Sequence, residues 1–299
     1  MKRRMQLRRE LPLHLIMLPG VIMLAIFAYY PMYGNIIAFK NFKPGLGIWG
    51  SKWVGLKYFY QLFSLPDIGR VFYNTIIIAV SKIALNTVFA IVVALMLNEC
   101  RSVMFRRVVQ TLIYMPHFMS WVILGTIFTA MLGADGIVNQ MIKALGGQSV
   151  NFLGSNDVFR GTLLVTDVWK NVGFNTVVYL AAIMGIDPTL YEAAVMDGAG
   201  RWRQTWHVTL PGIRSIIVLL ALLNLGKILN AGFDQIFNLY NPLVRESSDI
   251  LDTLVYRLGM QSAKYSLSTA VGLLKSVVSV ILIGTSYYLS YRIADYRIF

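Results

Sequence analysis

The sequence predicts an all-α, polytopic membrane protein, and three observations carry that prediction. Charged residues form 14% of the 299 positions while 57% are hydrophobic; soluble chains carry about 25% charge, and without it they cannot solvate their surface. Six apolar stretches, 11–31, 71–97, 108–132, 160–185, 212–236 and 267–291, each reach the length of about 20 helical residues that crosses a bilayer core. Basic residues sit in short blocks that flank these stretches alternately, the pattern that sets membrane orientation.

The first stretch follows Lys2, Arg3, Arg4, Arg8 and Arg9, with no A-x-A site after it, so it reads as a retained span behind a cytoplasmic tail at 1–10. The second carries Lys82 as its only charge. Arg101, Arg106 and Arg107 precede the third; Arg201 and Arg203 lie between the fourth and fifth, with Arg214 at the edge; Arg292 and Arg297 follow the sixth. The opposite segments are dilute in charge, with Lys40, Lys43, Lys52 and Lys57 spread over the first and Lys143 in the next. Positive charge favours the cytoplasmic side, so both termini and the 186–211 loop are expected there, with 133–157 and 241–264 outside. Pro44-Gly45-Leu46-Gly47, Gly133-Ala134-Asp135-Gly136 and Asn241-Pro242 read as turns. The chain is expected to form a single domain over 1–299, with spans two to six at 71–292.

Several function classes drop out. The net charge of +13 is distributed around apolar runs and not along a soluble face, which argues against nucleic acid. One cysteine, Cys100, forms no internal disulfide, and His14, His117 and His207 are too scattered for a metal site. No G-x-x-x-x-G-K-[ST] occurs; Gly226-Lys227 is the nearest fragment, so ATP hydrolysis is not expected on this chain.

The 186–211 loop is the most informative segment. Asp187-Pro188 is a helix start, with Asp as cap and Pro in the first turn. Leu190, Ala193, Ala194 and Val195 continue a short helix presenting Glu192 and Asp197; Gly198 and Gly200 can end it, and Pro211 marks the entry to span five. On pattern alone this is a surface helix joining two spans. Its residues say more. Glu192-Ala193-Ala194, then Gly198, then Val208-Thr209-Leu210-Pro211, resembles the E-A-A-x3-G-x9-I-x-L-P signature of membrane subunits of binding-protein-dependent (type I) ABC importers, with Val208 in place of Ile. Asn74-Thr75, Tyr114-Met115-Pro116 and Trp169 with Gly173-Phe174 extend the resemblance over most of the chain. Val54–Phe59, Ser248–Arg257 and the segment from Tyr265 to Leu273 are similar to the maltose-type, sugar-importing branch, most of all to permeases for oligosaccharides from complex polysaccharides.

The resemblance implies a bacterial plasma-membrane permease with no cofactor of its own. Its implied partners are a second permease subunit, two cytoplasmic ATPase subunits that bind ATP and Mg, and a solute-binding protein that delivers oligosaccharide. Glu192, Ala193, Ala194, Asp197, Gly198, Leu210 and Pro211 become the expected ATPase-coupling residues.

Polar residues inside the spans mark the expected substrate path, because an ionisable group at the bilayer centre costs about 2.5–3.5 kcal/mol and faces the bundle interior or water. Asp167, Lys170, Asn171 and Asn175 share one helical face of span four. Asn224, Lys227, Asn230, Asp234 and Asn238 mark span five, and Lys82, Asn86 and Lys275 add to the set. Two readings stand side by side: a hydrophilic route for sugar, with Trp169 and Phe233 able to stack on sugar faces, or pairs such as Asp167 with Lys170 that hold the bundle together. Lys82 and Lys275 read as snorkelling or paired. The other classes are a type I permease for amino acid or phosphate, and a secondary transporter, for which inverted repeats with broken helices would be the sign.

Overall fold

A backbone in hydrocarbon has no water to bond to and must satisfy its own polar groups, so this chain folds almost entirely as helix. The computed structural model describes residues 2–226 and 228–294. The chain divides into two compact units, Met1–Leu65 with Val255–Leu274 and Pro66–Leu254 with Lys275–Phe299.

The first unit opens with α1, Lys2–Leu24, which continues through a π turn at Ala25–Tyr29 and a 3-10 stretch at Tyr33–Phe39. Its apolar part, Leu11–Phe39, is 29 residues long and outruns the expected 11–31. Leu13, Ile16, Phe27 and Tyr30 are all exposed along it. At Phe39 the helix gives way to β1, Lys40–Asn41, paired antiparallel with β2, Lys52–Trp53. This small hairpin is a local addition to the expected helical fold, in a segment read as a turn. Side chains hold it: Lys40 Nζ donates to Ile48 O (2.8 Å), and Ser266 Oγ donates to Lys40 O (2.6 Å) while accepting from Phe42 N (3.0 Å). A short helix, α2, Lys57–Phe63, follows.

The second unit is built on two long helices, α3, Ile68–Glu99, and α7, Asn156–Met184. Their contacts climb together: Arg160 donates to Asn74 (2.9 Å), Lys82 meets Asp167 (3.3 Å), and Thr176 donates to Ala90 O (3.4 Å). The helices therefore run parallel, which requires the chain between them to cross back. Two apolar clusters clamp the pair. One joins Ile78 and Ala79 to Phe159, Leu163, Ala231 and Ile236; the other joins Ala90, Ala94 and Leu97 to Tyr179, Ile183 and Ile213.

The returning chain is broken, contrary to the continuous 108–132 span. Helix α4, Val103–Tyr114, ends in a 3-10 turn at Met115–Phe118, and α5, Trp121–Leu132, starts afresh with Ser120 Oγ accepting from Ile123 N (3.3 Å). Pro116 lacks a backbone N–H and disfavours helix in the residue before it, so an apolar run that looks continuous in hydropathy cannot stay helical. The apolar helical stretch restarts at Trp121 and runs past a bend at Gly133–Gly136 through α6, Ile137–Ala144.

Span five is broken as well. After α8, Pro188–Met196, and α9, Arg201–Gly212, helix α10 covers only Arg214–Leu225. The chain resumes helix at α11, Phe233–Leu239, behind Gly232 at φ +92°. The expected 212–236 span is thus two short helices around an irregular link, and the left-handed Gly232 is the residue type that makes the link sterically cheap. The last helix, α12, Tyr265–Ala294, agrees with the expected sixth span. Four helical stretches, and six if each of two bent pairs counts as one, are long and apolar enough to cross a membrane among the described residues.

Close approach of α7 to the break after α4 depends on Gly173, where a Cβ would sit 2.0 Å from Ile113 O. Gly173→Ala is expected to lower the melting temperature of the purified complex, by the equivalent of about 1–3 kcal/mol for overpacking. Gly161→Ala, on the same helix with nothing within 4 Å of its Cβ position, should melt like the native chain.

Candidate functional site

Between the two apolar clusters of the second unit lies a cavity of about 560 Å³. The parallel register of α3 and α7 brings Lys82, Asn86 and Thr87 of the one opposite Asp167, Asn171 and Asn175 of the other, in the interval between the two apolar clusters. Asn86, Asp167, Asn171, Asn175, Asn224, Asn230, Asp234 and Gln235 line the space, together with Trp121, Phe174 and Phe233.

Asp167, Asn171 and Asn175 thus share the cavity wall, as i, i+4, i+8 spacing requires. Lys170 leaves the stripe. Its ammonium donates to the carbonyls of Pro116 (3.2 Å), His117 (2.7 Å) and Met119 (2.5 Å), and lies 5.6 Å from the centre of the Trp121 ring. The carbonyls lie at the break after α4; Pro116 O also accepts from Met119 N (3.2 Å) in the 3-10 turn. The expected intrahelical pair with Asp167 is therefore not formed.

Asp167 pairs instead across to α3. Its carboxylate meets Lys82 Nζ at 3.3 Å and accepts from Asn86 Nδ2 at 2.8 Å, and Asn175 Nδ2 donates on to Asn86 Oδ1 (3.3 Å). Lys82 is only 7% exposed, so the snorkelling alternative fails and pairing holds. Its other bonds go to Ala231 O (2.8 Å), inside the irregular link of span five, and to Gln235 Oε1. Gln235, 0% exposed, in turn donates to Leu163 O (2.7 Å) and Thr166 Oγ1 (2.8 Å). Lys82 and Gln235 together fasten the broken span to α3 and α7. Nothing in the sequence marked Gln235, which falls beside the 224–238 stripe and not on it.

Asn230 reaches the cavity from that link and Asp234 from the first turn of α11, where it is exposed. Lys227 lies outside the described residues. Lys275 is paired, with Asp252 (2.5 Å) and Asn230 (3.2 Å). Of the two aromatics expected near sugar, Phe233 lines the space, while Trp169 packs edge-on against Phe128 (5.6 Å). Phe174 was not singled out for this role; it lines the cavity, its ring stacked 4.1 Å from His117, whose Nδ1 is 3.1 Å from Asn171 Oδ1.

The second candidate surface is the 186–211 segment. Asp187 caps α8 by accepting from Thr189 N (2.9 Å), a bond that holds its carboxyl below the usual pKa. The C-terminal end closes as a Schellman turn, with Gly198 N bonding Val195 O (2.9 Å) and Ala199 N bonding Ala194 O (2.9 Å). Gly198 sits at φ +72°, a left-handed position that a β-branched residue strongly resists. The helix buries no side chain: Glu192, Ala193, Asp197 and Gly198 are exposed, Ala194 half-buried, and Met196 is 87% exposed. Glu192 makes no hydrogen bond or ion pair among the described residues. Tyr191 OH lies 3.0 Å from Thr209 Oγ1, which ties α8 to α9. Leu210 is half-buried and Pro211 exposed near the end of α9.

Long apolar helices around a carboxamide-lined cavity, with an exposed helix between two spans, define a multi-pass membrane transport subunit. Residues 86–299 match the model of the family described as "Binding-protein-dependent transport system inner membrane component". The chain belongs to this family. It is 45% identical to Protein LplB of Bacillus subtilis (strain 168) over 287 residues, 94% of this chain and 89% of that one. It is 46% identical to the polygalacturonan/rhamnogalacturonan transport system permease protein YteP of the same organism, over 91% of this chain and 85% of the relative. Among solved structures it is similar to a chain of a bacterial ABC transporter involved in import of the acidic polysaccharide alginate. The TM-score is 0.89 at 37% identity, covering 98% and 99% of the two chains.

The Lys82–Asp167 pair yields a test of the network. Lys82→Met leaves Asp167 buried without its cation and is expected to destabilise the complex by about 3–5 kcal/mol. Adding Asp167→Asn removes the stranded charge and should restore part of that loss in thermal unfolding. Losses that simply add would show that the two groups act independently.

Proposed function

We propose that the chain is the permease subunit of an ATP-driven importer that carries oligosaccharides released from a complex polysaccharide into the cytoplasm. The observation that carries this reading is the cavity wall. Asn86, Asn171, Asn175, Asn224 and Asn230 offer paired amide donors and carbonyl acceptors, and Asp234 adds an exposed carboxylate. Sugar hydroxyls donate and accept at once, so carboxamides match them without a net charge, and Phe174 and Phe233 supply apolar faces for the ring surfaces. The names of the relatives, which import polygalacturonan, rhamnogalacturonan or alginate, support the same substrate class.

In this reading a solute-binding protein delivers sugar to the outer side, both termini face the cytoplasm, and a second permease completes the route. ATP and Mg act on two partner ATPase subunits, which fits the lack of a phosphate-binding loop in this sequence. Helix α8 receives their motion. Nine residues are too few for a stable isolated helix, so α8 is built to lie against a partner. Glu192 at its exposed face is placed for a charge-assisted bond to an arginine of that partner.

The direct experiment deletes the gene and measures growth on fragments of pectic polysaccharides, on alginate fragments, on amino acids and on phosphate. Loss confined to the polysaccharide fragments is expected; loss confined to amino acids or phosphate would end the reading. In proteoliposomes, Gly198→Val and Glu192→Gln are each expected to lower sugar uptake at least tenfold relative to ATP hydrolysed, or to release the ATPase. Unchanged coupling in both variants would reduce α8 to a connector. Asn171→Ala and Asp234→Asn should raise the sugar concentration for half-maximal uptake while leaving assembly intact.

A further inference from the structure

The hairpin of the first unit carries a surface that neither the cavity nor α8 uses. Trp49 is 81% exposed, and Leu46, Trp53, Leu56, Tyr60 and Phe63 are exposed along the same segment. Lys43, Lys52 and Lys57 are exposed on the same short segment, and their ammonium groups make no ion pair among the described residues. We infer that the β1–β2 hairpin with α2 is an interfacial anchor, seated in the lipid headgroup layer where the first span ends and the last begins.

Depth is the first argument. β1 starts directly after Phe39, where the apolar stretch Leu11–Phe39 stops, and Ser266 in the first turn of α12 bonds both Lys40 O and Phe42 N. The hairpin is thus pinned to the ends of two membrane spans at once. A 29-residue helical stretch is about 43 Å long, against roughly 30 Å of hydrocarbon core, so its final turns lie among headgroups.

Rigidity and chemistry complete the case. Trp53 stacks on Phe39 (5.7 Å, 10°), Phe59 packs on the same ring (5.4 Å), and Trp49 lies against Tyr33 (5.9 Å) with Lys40 Nζ 5.7 Å from its centre. Rings fixed at a span end present an apolar body and a polar edge, the combination that concentrates Trp and Tyr at the membrane boundary. Three free lysines fit lipid phosphate better than a protein partner, since lysine is depleted in protein–protein interfaces.

The test uses the whole complex, purified through a tag on this chain and reconstituted in phosphatidylcholine–phosphatidylglycerol vesicles. In a Cys100→Ser background, Trp49→Cys and Tyr60→Cys are each labelled with bimane; both side chains are exposed, and the Tyr60 probe reports depth without removing the Trp49 ring from its contact with Tyr33. Nitroxide near the lipid headgroup is expected to reduce emission at least twofold, more than nitroxide deep in the acyl chains or aqueous iodide. Quenching by iodide alone would overturn the inference in favour of a solvated loop. Protection from iodide only after solute-binding protein is added, with no lipid quenching, would overturn it in favour of a protein docking face.

Discussion

A helix that stops inside a membrane strands backbone carbonyls where no water can reach them, and among the described residues the helices break after α4 and after α10. Both breaks are closed by a lysine from a neighbouring helix. Lys170 reaches from α7 to the carbonyls after α4, and Lys82 reaches from α3 to Ala231 O in the link after α10. An ammonium is suited to the task because it carries three donors on a long stem. The cost is a buried positive charge, which for Lys82 is met by Asp167. The remaining polar groups follow from that pair: Asn86 completes the carboxylate, Asn175 completes Asn86, and Gln235 completes Lys82.

The same arrangement explains why the cavity is where it is. Parallel packing of α3 and α7 places apolar contacts above and below a polar layer, and the two broken helices face that layer. A link whose bonds end on side chains can change partners as those side chains rotate, without turning a bare carbonyl to lipid. Regular helix offers no such freedom, since each of its bonds is fixed by the next.

Much of this was legible in the sequence, for local reasons. The boundaries of α8 follow from Asp187-Pro188 and Gly198, which act through neighbouring backbone. The Asp167, Asn171, Asn175 stripe follows from helical period alone. Lys170 was assigned to that stripe by the same period, and the structure removes it because its long stem reaches a different helix. The breaks in spans three and five were missed because hydropathy averages over them, although Pro116 and the Gly226–Gly232 interval were visible. Lys82 and Gln235 were beyond a one-dimensional reading: their partners lie far off in sequence, and only tertiary packing brings them together. The hairpin was read as a turn because two-residue strands leave no alternation to detect.

The ion pair at the heart of the second unit also sets an order of events during synthesis. Lys82 enters the membrane about 85 residues before Asp167 is made, which at roughly 5–20 residues per second is on the order of 4–17 seconds. Until then the second span holds a lone cation in an otherwise uncharged stretch, at about 2.5–3.5 kcal/mol if it sits near the bilayer centre. The nascent helix can relieve that cost only by sliding toward a headgroup layer or by remaining beside the protein-conducting channel. Emergence of the fourth span then draws the lysine inward. The partners of Lys82, namely Asp167, Ala231 O and Gln235, are all translated long after it, so its pairing waits on the synthesis of the second half of the chain.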